Sequence, residues 1–74
     1  MDEFELQSAK KMRMNVGRLR QAAQELWGRS LTEERDRRAQ ERAPANVSPR
    51  SLQAFKAGVT RKVLAELRAW LASR

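Results

Sequence analysis

The chain has no cysteine, no histidine and no tyrosine, and only three glycines and two prolines among its 74 residues. Without cysteine there is no disulfide to cross-link so short a chain. Without cysteine or histidine the usual ligands of a structural zinc site are missing. General acid–base and nucleophilic chemistry lose their commonest side chains. Gly17, Gly28 and Gly58 stand alone, so no glycine-rich loop could cradle a phosphate. The acids Glu33, Glu34 and Asp36 alternate with Arg35, Arg37 and Arg38, as charges on a solvated helix do. The expectation is a protein that is not an enzyme and uses no cofactor and no metal. No apolar run reaches the length of a membrane span. Asp2, Glu3 and Glu5 give the first residues the wrong sign for a secretory leader, so the expected compartment is the cytoplasm.

Basic charge is plentiful. Sixteen Lys and Arg face nine Asp and Glu, for a net charge of +7. The excess sits mainly in residues 51–74, where Lys56, Arg61, Lys62, Arg68 and Arg74 meet only Glu66.

Apolar periodicity predicts an all-α protein with three helices. Ala9, Met12, Val16, Leu19, Ala23 and Leu26 recur at alternating gaps of three and four, a helical seam over about residues 3–27, with Gly28 as its stop. Ser30 and Glu33 fit a capping box that opens a second helix over about 31–42. That helix is almost devoid of apolar residues, so it should be mostly exposed and held by pairs such as Glu33–Arg37 and Glu34–Arg38. Residues 43–48 read as a linker in which Pro44 bars helix continuation. Ser48 followed by Pro49 then starts a third helix over about 49–72, with Leu52, Phe55, Val59, Val63, Leu67 and Trp70 on one side.

Two long amphipathic helices joined by a polar segment predict an antiparallel hairpin, with the short charged helix at or across one end. A core of this size yields roughly 3–5 kcal/mol. A homodimer that completes the core is therefore expected, with a monomeric three-helix fold as the competing structure.

Two functional readings follow. In the first, the protein is a small regulator that docks on a larger protein with an acidic or mixed surface and inhibits it. Trp70, Leu71, Arg61 and Arg68 form the contact face, and Arg37 and Arg38 are rim charges, because Trp and Arg anchors dominate such interfaces. In the second, it is a nucleic-acid-binding regulator that uses Lys10, Lys11, Arg13, Arg61, Lys62 and Arg68. Against this second reading, all four aromatic residues fall on apolar faces, which leaves no stacking platform. No helix-turn-helix pattern fits either, since Glu34 and Arg35 stand where apolar anchors belong. A ridge of Ala54, Ala57, Gly58, Ala65, Ala69 and Ala72 surrounds Arg61 and Arg68, and alanine's helix propensity accounts for it. A membrane surface is disfavoured, because the first helix offers a matching apolar stripe to cover the third.

Overall fold

The computed structural model describes residues 3–43 and 45–74. Asp2 and Pro44, which carried two of the expectations above, lie outside the described residues. The described residues form four helices and no strand: α1 (Glu3–Met12), α2 (Val16–Trp27), α3 (Leu31–Arg42) and α4 (Pro49–Ala72).

The single helix expected over residues 3–27 is divided in two, and the backbone shows why. Arg13 adopts a left-handed conformation at φ 58°. Its amide donates to the Lys10 carbonyl at 3.2 Å, and the Met14 amide donates to the Ala9 carbonyl at 2.9 Å. This pair of backward bonds is the Schellman closure of a helix C-terminus, with arginine at the position glycine usually takes. Asn15 then restarts the chain as the N-cap of α2, its side chain accepting from the Arg18 amide at 2.6 Å. The apolar seam runs through the corner regardless. Ala9, Leu19 and Ala23 are buried, and Met12, Val16 and Leu26 pack against them.

The other helix ends follow the sequence. Gly28 closes α2 in the left-handed region at φ 71°, its amide bonded to the Gln24 carbonyl at 2.8 Å. Ser30 caps α3 by accepting from the Glu33 amide at 3.1 Å, and Ser48 caps α4 by accepting from the Ser51 amide at 3.2 Å. Pro49 occupies the first turn of α4, where its missing N–H costs nothing.

The charged helix does not lie across one end. α4 folds back along α3, and its most extensive packing is against that helix. Ala39 of α3, Ala43 just beyond its end, and Leu52 and Lys56 of α4 line one apolar groove between the two helices. α4 also packs on α2, and α1 packs on both α2 and α3. Leu19, Leu31, Val63 and Leu67, drawn from α2, α3 and α4, are completely buried. Each such side chain stabilises the fold by roughly 1.5–3 kcal/mol. Leu31 is the residue that pins the otherwise polar α3 to this core.

Candidate functional site

The ion pairs decide which charges face outward unsatisfied. Glu34 is the centre of the largest network. It is 1% exposed, although α3 was expected to lie mostly in solvent. Three arginines converge on its carboxylate. Arg29 Nη1 donates to Oε1 at 2.5 Å, Arg37 donates to both oxygens at 3.2 and 2.9 Å, and Arg38 Nε donates to Oε2 at 2.5 Å. Hydrogen bonding to Arg37 is the main reason that the carboxyl is held down at about 2, against the opposing effect of burial.

Arg38 extends the network to α4 by donating from Nη2 to Glu66 Oε2 at 2.5 Å. That bond lowers the Glu66 carboxyl and raises the Arg38 guanidinium above its usual range. The anticipated Glu34–Arg38 pair is present. Arg37, however, turns to Glu34 and to Glu41 at 2.6 Å, in place of the expected Glu33. Elsewhere Arg20 donates to the buried Glu5 at 2.6 Å and clamps α1 to α2. Arg74 meets Glu25 at 2.7 Å, and Arg35 and Lys56 share Asp36 at 2.8 and 4.0 Å.

Among the described residues, carboxylates thus hold seven of the chain's 16 cations. Among the described residues the other nine have no carboxylate within ion-pair distance. Six of these are Lys10, Lys11, Arg13, Arg61, Lys62 and Arg68, the whole of the set singled out for nucleic acid, and all six are exposed. The remaining three, Arg18, Arg42 and Arg50, were not singled out from the sequence. The signal for Arg50 was there, since it stands eleven residues, or three turns, before Arg61.

Geometry joins the two halves of that set. The end of α1 meets the middle of α4, so that Lys11, Arg61 and Arg68 rim one shallow depression of about 100 Å³ floored by Met12, Leu64 and Ala65. Lys10 and Arg13 are exposed at the same end of the α1 segment, and Lys62 is exposed on α4 one residue after Arg61. Seven residues separate Arg61 from Arg68, about 10 Å along the helix at 1.5 Å per residue. Among the described residues no acid is within ion-pair distance of any member, so the face carries a concentrated positive potential.

The residues expected to form a protein-docking face are dispersed. Nine residues along an α-helix is half a turn out of phase, so Trp70 lies on the side of α4 opposite Arg61. Trp70 is half-buried, and the Arg74 guanidinium covers its ring at 4.4 Å from the centroid. Leu71 borders a different groove, of about 410 Å³, with Arg18, Gln21 and Glu25 of α2. Arg37 and Arg38 are engaged by Glu34.

Among the described residues no group of three His, Cys, Asp or Glu side chains could hold a metal ion, and no helix is long and apolar enough to cross a membrane. Comparison of the chain with protein-family models, characterised proteins and solved structures gave no match.

Proposed function

We propose that the protein is a small nucleic-acid-binding regulator whose contact surface is the cationic face shared by α1 and α4. The observation that carries this reading is the convergence of Lys11, Arg61 and Arg68 on one depression, with Lys10, Arg13 and Lys62 also exposed and, among the described residues, no carboxylate partner for any of the six. Phosphates are the ligand such a face suits, because Lys and Arg that neutralise them release condensed counterions. The function is binding and occlusion, and no residue is assigned a chemical step.

The protein-docking reading draws less support. Its two rim arginines already serve Glu34, and its aromatic anchor is covered by Arg74. The acting species in this reading is a single chain. Four helices close a core within one chain, and Leu6, at 37% exposure, is the one large apolar residue exposed among the described residues. The homodimer expected from two helices alone is tested by sedimentation, which should return the mass of one chain, 8.6 kDa.

Fluorescence anisotropy on labelled nucleic acid tests the function. Binding should weaken with salt at a log–log slope of about −0.9 per phosphate contacted in a duplex. The double variant Arg61→Ala/Arg68→Ala should weaken it at least tenfold while helicity is retained. Absence of binding at low salt, together with capture of a protein partner that depends on Trp70, would replace this reading with the docking one.

A further inference from the structure

We infer that the cationic face takes double-stranded rather than single-stranded nucleic acid. The inference rests on the nucleic-acid reading above and narrows it to one form of the polymer.

Proteins that hold single strands without sequence preference combine a basic groove with aromatic rings on which bases stack, and each stacked base contributes about 1–3 kcal/mol. In this molecule the rings are already occupied. The Arg35 guanidinium lies over Phe4 at 4.4 Å, Arg38 over Trp27 at 5.7 Å and Arg74 over Trp70 at 4.4 Å. Phe55 is half-buried against the core, and there is no tyrosine. None of the four aromatic residues borders the depression formed by Lys11, Arg61 and Arg68.

Charge density and rigidity point the same way. A duplex presents one phosphate charge per 1.7 Å or so of axis, about twice that of one strand. Arg50, Arg61 and Arg68 lie on one exposed line of α4, so the cations are held at fixed spacings of about 16 and 10 Å along the helix. Between them on that line Ala54 and Ala57 are exposed but short and Leu64 is buried, which leaves the arginines as the groups that project. A fixed array meets a stiff duplex at little ordering cost. A flexible strand must be ordered on it without stacking in return.

The test compares the full-length protein on a labelled DNA duplex and on one of its strands alone, chosen to be free of self-pairing, across a salt series. The duplex should bind at least tenfold more tightly at low salt. Arg50→Ala should lower duplex affinity several-fold with helicity unchanged. Equal or tighter binding of the single strand overturns this inference and leaves the nucleic-acid reading standing. Binding to neither form overturns the reading on which it rests.

Discussion

Arg38 and Glu66 stand 28 residues apart in the chain and meet at 2.5 Å, and the guanidinium that joins them also donates to the buried Glu34. One side chain thus ties the polar helix to the long one from the α3 side. The arrangement explains how a helix with almost no apolar content keeps a fixed place in the fold. Leu31 and Ala39 supply burial, and the Glu34 network supplies direction.

Glu34 should therefore be costly to neutralise. Glu34→Gln leaves Arg29, Arg37 and Arg38 without their shared anion, and breaking a buried pair typically costs about 3–5 kcal/mol. The three arginines are partly exposed and can rehydrate, so the expected loss is nearer 2–3 kcal/mol. Glu66→Gln, at a mostly exposed carboxylate, should cost less than about 1 kcal/mol. Urea titrations of the two variants check the ordering. Equal losses would mean that Glu34 contributes no more than a surface pair.

The same carboxylate sets an acid limit. Its folded value of about 2 lies below the ordinary 4.5, so its stabilising contribution is complete above about pH 4.5 and is lost as pH falls toward 2. The lowered Glu66 acts with the same sign. The loss attributable to Glu34 is on the order of 3 kcal/mol. Urea midpoints followed across that range should fall steeply for the native sequence and more gently for Glu34→Gln. Parallel curves would refute the assignment.

Two turns answer to backbone conformation rather than contact. A Cβ on Gly28 would meet nothing within 4 Å, yet φ is 71°. Gly28→Ala should thus cost about 1 kcal/mol from the left-handed backbone alone. Arg13→Gly is expected to act in the opposite direction, holding or raising stability by up to about 1 kcal/mol, because glycine takes φ 58° without strain. Thermal melts of both variants decide it. A marked loss for Arg13→Gly would show that its side chain, not its backbone, matters at the corner.

Arg74 both covers Trp70 and pairs with Glu25. Arg74→Ala should cost less than about 1 kcal/mol, since both interactions are at the surface. It should also uncover one indole face. In a Trp27→Phe background, quenching of Trp70 by the neutral quencher acrylamide should increase. Unchanged quenching would place the guanidinium elsewhere in solution.

Much of this fold was legible in the residues. Ser30, Ser48, Pro49 and Gly28 marked helix ends by local chemistry that does not depend on tertiary context, and the structure uses all four. The corner at Arg13 was not legible, because the apolar gaps run through it unchanged and a left-handed arginine leaves no compositional trace. Asn15, a strong N-cap type, was the available hint. The burial of Glu34 was hidden for a related reason. Its arginine neighbours look the same whether the helix is solvated or packed, and only the position of α4 distinguishes the two. The six cations of the nucleic-acid set could be named from charge alone. That they are among the nine left over after pairing depended on long-range partners such as Arg20–Glu5 and Arg74–Glu25.

The corner at residues 13–15 also bears on how the chain reaches its fold. It turns what would have been one helix of seven turns into segments of ten and twelve residues, lengths at which an isolated helix is marginal in water. A peptide covering only the first 27 residues should therefore give a largely random-coil dichroism spectrum. In the whole chain the short corners keep helices that are neighbours in sequence adjacent in space, so few partners must be sought across long loops. Such topologies complete their search in microseconds to milliseconds, faster than synthesis adds a single residue.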